Sequence, residues 1–368
     1  MNRLVLISGA ASLLMSLPAV AQEQKWTHYG FRPLGMGNAF VSVADDFNAL
    51  FYNPAGLARL KEWDAEFLNP GLEISAKTKA SIEEVQKVAS AQGDSTSSVL
   101  DLIESQAGTN HHLGLYWTPH LIFKHFGFGI GTELAGNIVF HRYPSVDLDI
   151  GPRIVAPIAF AFNTLEDRLS LGFSLKARLR GGVNHEFSIQ DIGALNSSDA
   201  NSTGPQLKDF IEGGFGYGAD FGLLFTPIKT MAPTLGLSLT DIGGTAYTQI
   251  DVQGEAVSAP APAQPSLNMG LSFKPIQTAR NYILAAIEMH SLNQPYSFSK
   301  KLNLGVEWGF GEKIIKVQAG LHQGYLTGGL QFDLGLINLR LVTYSEELGA
   351  VAGSVEDRRY ALQLKLLL

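Results

Sequence analysis

Cysteine is absent from this chain of 368 residues, which excludes a disulfide scaffold and any thiolate metal site. Charge is scarce: Asp, Glu, Lys and Arg make up 17% of residues, against about 25% in ordinary soluble domains. Cations are outnumbered, 27 Lys and Arg to 34 Asp and Glu, so bulk neutralisation of nucleic acid is excluded. After the first residues there is no run of 18 apolar residues, so the chain does not cross a membrane as helices. No GxxxxGK[ST], HExxH or GxSxG motif occurs, and the nine histidines are scattered. The reading is therefore of a non-enzyme with no cofactor and no metal. Hydrophobic content of 45% is far too high for a disordered chain. Glycine is plentiful at 39 residues.

Residues 1–21 read as a secretory signal. Arg3 supplies the positive start, Leu4 to Leu17 the short apolar run, and Ala19-Val20-Ala21 the cleavage site. That expectation places the mature chain beyond the inner membrane of a Gram-negative bacterium.

The remainder alternates with period two. Leu169, Leu171, Phe173, Leu175, Ala177 and Leu179 interleave with Ser170, Gly172, Ser174, Lys176, Arg178 and Arg180. Leu302, Leu304, Val306 and Trp308 interleave with Asn303, Gly305, Glu307 and Gly309. The final run sets Tyr360, Leu362, Leu364 and Leu366 against Arg359, Ala361, Gln363 and Lys365. Successive strand side chains point to opposite faces, so each run carries one apolar and one polar wall. A soluble sandwich turns the apolar wall inward; a membrane barrel turns it to lipid. Run lengths of about nine to eleven residues fit a tilted bilayer crossing. The glycine and charge on the polar walls fit a wet or plugged lumen better than a solvated sheet. The expectation is an all-β transmembrane antiparallel barrel of about fourteen strands over 63–368. Short connections such as 163–168 and 311–313 alternate with long ones such as 76–111 and 181–213, as expected for short periplasmic turns and long outer loops.

Within the first long loop, Ser81-Ile82-Glu83-Glu84 reads as a capping box and Ser98 precedes a second short amphipathic segment. These predict helices that form either a lid or an apolar access patch. Ala259 to Pro265 reads as an extended Pro/Ala loop.

Residues 22–62 precede every membrane strand, so they are expected at the periplasmic mouth or inside the lumen. The run Gly35-Met36-Gly37-Asn38-Ala39-Phe40, followed by Asp45-Asp46 and Asn53-Pro54-Ala55-Gly56, resembles the N-terminal signature of FadL-like outer-membrane transporters. PorV-type barrels of type IX secretion are relatives of these. The resemblance implies a fourteen-stranded barrel whose N-terminal hatch fills the lumen, with Asn53, Pro54 and Ala55 near the constriction. It implies passive uptake of hydrophobic compounds such as long-chain fatty acids, or, in the PorV-like alternative, docking of a secretion or conjugation partner. It also implies a lateral exit beside a kinked third strand. By this count that strand is 126–140, and Gly127, Gly129, Gly131 and Gly136 are its candidate gate glycines, glycine being weak in strands. The alternative is ordinary barrel glycine.

The row Lys176, Arg178 and Arg180 has two readings. It either holds a ligand carboxylate or pairs with Asp45 and Asp46 of the hatch or with Asp220 on the next strand. Glu288 and Glu307 face the lumen and are candidates to pair with Arg340 or Lys316. The partners expected are outer-membrane lipid, a hydrophobic small molecule and, for the leucine-rich last strand, the barrel assembly machinery.

Overall fold

A computed structural model describes residues 30–78, 104–141, 145–188, 190–191, 207–228, 230–252, 254–278, 280–311 and 314–366. The expected signal (1–21) and the expected helices within 81–103 lie outside the described residues. One antiparallel sheet of eighteen strand segments closes on itself. One segment is the short Thr248–Gln249, and three staves are each broken in two, which leaves fourteen staves.

In chain order these are β1 (Asp64–Glu66 and Gly71–Ser75), β2 (Asn110–Trp117 and His120–Phe123), β3 (Phe126–Gly129 and Gly131–Phe140), β4 (Ser145–Thr164) and β5 (Leu169–Ser188). Then follow β6 (Ile211–Phe225), β7 (Thr234–Thr240), β8 (Ser266–Gln277), β9 (Tyr282–Met289) and β10 (Leu302–Phe310). The last four are β11 (Ile315–His322), β12 (Tyr325–Asp333), β13 (Ile337–Glu347) and β14 (Glu356–Leu366). Each pairs with its neighbour, and β14 closes the ring on β1 with Gly71 opposite Gln363. Closure leaves no edge strand, the condition for a sheet in hydrocarbon. No described helix is long and apolar enough to cross a membrane.

The side-chain alternation matches the period-two reading. On β10, Val306 and Trp308 point outward and are about half exposed, while Glu307 is fully buried inside. On β5, Phe173 and Leu175 are exposed outside and Lys176 lies inside. A sheet that buries its polar wall and exposes its leucines inverts the soluble arrangement, and lipid is the solvent that such a surface requires. Near the end of a strand, Tyr116 points inward and packs edge-on against Phe31, with ring centroids 5.5 Å apart.

At one end the staves join by short turns, such as 165–168 and 334–336; at the other most connections are long. The exceptions are the two-residue link between β11 and β12 and the four-residue link between β3 and β4. Staves β4 and β5 run twenty residues each, longer than the runs of about nine to eleven residues read from the sequence. Their extra length carries polar residues such as Asn184, His185 and Glu186, so it lacked the alternation that marks lipid contact.

Three neighbouring staves are interrupted at one level: β1 at residues 67–70, β2 at 118–119 and β3 at Ile130. Pro119 has no N–H to give the ladder, but its carbonyl accepts the Ile130 N–H at 2.9 Å.

Candidate functional site

Residues 30–60 are almost wholly buried and lie against the inward faces of the staves. They form two short helices, α1 (Phe31–Gly35) and α2 (Ala49–Tyr52), and a 3-10 turn (Pro54–Arg59). Helices this short gain little stability alone; wall contacts hold them. Gly37 has φ +61°, and a Cβ there would lie 2.2 Å from the Leu304 carbonyl oxygen. The wall thins to meet the segment: a Cβ at Gly172 or Gly222 would run into the Asn53–Ala55 stretch. At these positions glycine serves close contact between the wall and the inner segment.

Four polar anchors seat the segment. Arg32 grips Glu307 bidentately at 2.7 and 2.8 Å, and its third nitrogen, Nη1, reaches Asp45 at 2.7 Å and Asp46 at 2.8 Å. Lys274 also pairs with Asp45, at 3.2 Å. Burial alone would raise the Asp45 carboxyl, but Arg32 and Lys274 outweigh it and hold it well below the usual carboxylate range. Glu288 accepts the backbone N–H groups of Val41 and Ser42 at 2.8 and 2.7 Å, together with the Ser42 hydroxyl. Asn53 caps the 3-10 turn by accepting from the Ala55 N–H, and donates to the carbonyls of Val41, Leu223 and Leu237. Pro54 occupies the first position of that turn, where its missing N–H costs nothing. Near the short turns, Arg59 donates to the hydroxyls of Ser170, Thr226 and, more loosely, Thr234. Burial pushes its guanidinium down to about 10.

Above Leu50 and Phe51 the lumen opens into a cavity of about 590 Å³, roofed by loop residues including Tyr247, Ala261 to Gln264, and Tyr296. Its wall carries five cations (Arg153, Lys176, Arg178, Arg180 and Arg359) and six carboxylates. Lys176 pairs with Asp220 at 2.6 Å and Asp241 at 3.2 Å, and Arg178 with Asp241 at 2.7 Å. Arg180 differs. Its ion pair with Asp149 is long, at 3.7 Å, and its buried Nη2 has no hydrogen-bond partner among the described residues.

The structure thus separates the residues singled out in the sequence. Gly35, Gly37, Asp45, Asp46, Asn53, Pro54, Ala55 and Gly56 lie in the inner segment. Lys176, Arg178 and Arg180 lie in the cavity above and do not meet Asp45 and Asp46. Glu307 takes Arg32 rather than Arg340 or Lys316 as its direct ion-pair partner, and Glu288 takes backbone amides. Gly127 and Gly129 face Leu50 of the inner segment, whereas Gly136 faces Ile150. Hydrogen-bonded pairing of β3 with β4 keeps one register through Gly131 and the interruption at Ile130. Arg32 was missed because one arginine beside a proline carries no periodic signal; its role depends on Glu307, 275 residues away.

No family model and no curated protein matches the chain. Solved structures do. The Pseudomonas putida toluene transporter TodX aligns over 94% of this chain and 98% of its own, at 13% identity and TM-score 0.50. The CymD monoaromatic hydrocarbon channel aligns over 92% of this chain and 96% of its own, at 12% identity and TM-score 0.50. At such identities the likeness is one of fold: a closed barrel of the type expected from the FadL-like resemblance.

Proposed function

We propose that the protein is an outer-membrane channel for passive passage of hydrophobic compounds, with residues 30–60 as its internal gate. The observation that carries this reading is the 590 Å³ cavity between the buried segment and the loops, a volume suited to a small organic ligand. The fold shared with a toluene transporter and a monoaromatic hydrocarbon channel supports it. Charges on the cavity wall favour molecules with an apolar body and one polar or anionic group, among them arene carboxylates and fatty acids. Arg180, with its incompletely bonded guanidinium, is the candidate to receive the carboxylate. The aligned breaks in β1, β2 and β3 favour this sector of the wall, next to Gly127, Gly129 and Gly131, for lateral exit.

A second reading, a sealed barrel that docks a secretion partner, is favoured by the dense anchoring of the inner segment. Uptake of a labelled arene carboxylate and a labelled fatty acid into proteoliposomes separates the two. Transport predicts saturable uptake by the wild-type chain and altered uptake by Pro54→Ala with the barrel still folded. Deletion of 30–56 is expected to replace saturable uptake with a leak. Uptake no faster than in empty vesicles, for the wild type and the deletion alike, overturns the channel reading.

A further inference from the structure

At the short-turn end, Asp64 and Glu66 lie two residues apart on β1, and so share one face of it. Register sets Glu66 directly opposite His120 on β2. The His120 Nε2 is 3.4 Å from Asp64 Oδ2 and 3.9 Å from Glu66 Oε2, and the three ligand atoms all lie within 4.8 Å of one another. A tetrahedron with bonds of about 2.1 Å, the zinc–nitrogen and zinc–oxygen length, has edges of about 3.4 Å; the His120–Asp64 separation equals that edge, and the His120–Glu66 separation is longer.

We propose that Asp64, Glu66 and His120 bind a divalent transition cation of the zinc class and that the bound ion clamps β1 to β2. The site is built around its ligands. His120 is 1% exposed at its side chain, and its Nδ1 lies 2.9 Å from the Thr118 carbonyl oxygen. With Nδ1–H donating there, the tautomer leaves the Nε2 lone pair directed at the two carboxylates. That is an arrangement a cation satisfies, and it is the usual outer-shell device of metal-ligating histidine. Asn69 donates to Glu66 Oε2 at 3.2 Å and to the Thr118 carbonyl at 2.7 Å, and accepts the Thr118 N–H at 2.9 Å. One side chain therefore orients both a carboxylate ligand and the backbone that holds the histidine. Asp64 is 37% exposed and provides the path from solvent. Lys365 pairs with the other oxygen of Glu66 and is the resident cation with which the metal competes. The plane of His120 stacks on Phe47 of the inner segment, with centroids 4.2 Å apart and planes 9° apart, so a clamped imidazole also fixes the floor under that segment. The sequence hides the site: D-x-E and a histidine more than fifty residues away match no ligand motif.

The test uses the full chain in detergent, stripped with a chelator and free of any histidine tag. Zn²⁺ is titrated against a chromophoric chelator, and Co²⁺ serves as a spectroscopic probe. The expected results are one Zn²⁺ per chain and a tetrahedral-type visible Co²⁺ spectrum. Affinity should fall at least about 100-fold in His120→Ala and about tenfold in Asn69→Ala, and should rise in Lys365→Gln as the competing ammonium is removed. Asp64→Asn, at a partly exposed position, keeps the test open if His120→Ala does not fold; it should weaken binding and change the Co²⁺ spectrum. No stoichiometric binding by the wild-type chain overturns the proposal. So does binding that neither His120→Ala nor Asp64→Asn weakens.

Discussion

The two halves of the lumen handle charge in opposite ways. Around residues 30–60, Arg32 joins Glu307 of the wall to Asp45 and Asp46 of the inner segment itself, and Lys274 of the wall also reaches Asp45. In the cavity above, the pairs join wall and loop groups to one another, within β4 as well as between staves, and the buried Arg180 Nη2 has no hydrogen-bond partner among the described residues. The first region uses its charges to hold a chain in place; in the second, the charged groups line a cavity. Buried charge therefore does not mark function by itself. What matters is whether the partner belongs to the protein or is left to be supplied.

The comparison breaks most visibly at Arg32. Arg32→Ala leaves Asp45, Asp46 and Glu307 without their shared cation, and removing one member of such a buried pair costs about 3–5 kcal/mol. The expected outcome is an inner segment that proteases cut in otherwise folded barrels, and a leak of hydrophilic solutes from liposomes. Adding Glu307→Gln to Arg32→Ala should recover part of the protection, since it removes one orphaned charge. Unchanged protection in the single variant would show that the other anchors and the glycine-lined contacts seat the segment without Arg32.

Gly37→Ala is the next largest. It sets a Cβ against the Leu304 carbonyl in a backbone with positive φ, a combination worth roughly 1–3 kcal/mol of strain. Partial protease exposure and a smaller leak are expected, and a liposome leak assay measures them.

Acid gives a graded test of the same half. The Asp45 carboxyl is held below its ordinary value by Arg32 and Lys274, despite burial. Its stabilisation is therefore complete above the unfolded value, about 4, and is lost as pH falls toward the depressed folded value. Leak should rise on acidification below about pH 4, and Asp45→Asn should leak already at neutral pH with a flatter acid profile. Superimposable profiles for wild type and Asp45→Asn would remove Asp45 from the seal.

The smallest structural effect belongs to the upper half. Arg180→Gln should change thermal stability by less than about 1 kcal/mol, because its ion pair is long, at 3.7 Å, and Asp149 keeps Arg153 at 2.5 Å. It should nevertheless raise the KM for an anionic substrate more than for a neutral arene of the same size. Equal changes for the two would assign Arg180 to the wall rather than to a ligand.

Much of the barrel was legible in the sequence because it is written in a local code. Leu302 to Gly309 alternates residue by residue, and the same rule orients Lys176, Arg178 and Arg180 inward. The legibility stopped where the code is not local. The extra length of β4 and β5 lies where polar residues follow no lipid constraint. Nothing local to Tyr116 shows that its ring packs on Phe31. Glu288 and Glu307 face the lumen as their strand positions require, but their partners come from the inner segment and not from the neighbouring cations Arg340 and Lys316.

By itself the sequence determined the class of solvent, an approximate number of staves and the wall of each stave to which a side chain belongs. Side-chain direction along a strand depends only on parity, and apolar surface has to meet hydrocarbon. Which inward groups meet was decided only by tertiary structure. Curling the sheet into a ring and threading residues 30–60 through it places Arg32 on Glu307 and leaves Asp64, Glu66 and His120 around one point. Contacts across a lumen join residues tens to hundreds of positions apart, and no spacing along the chain encodes them.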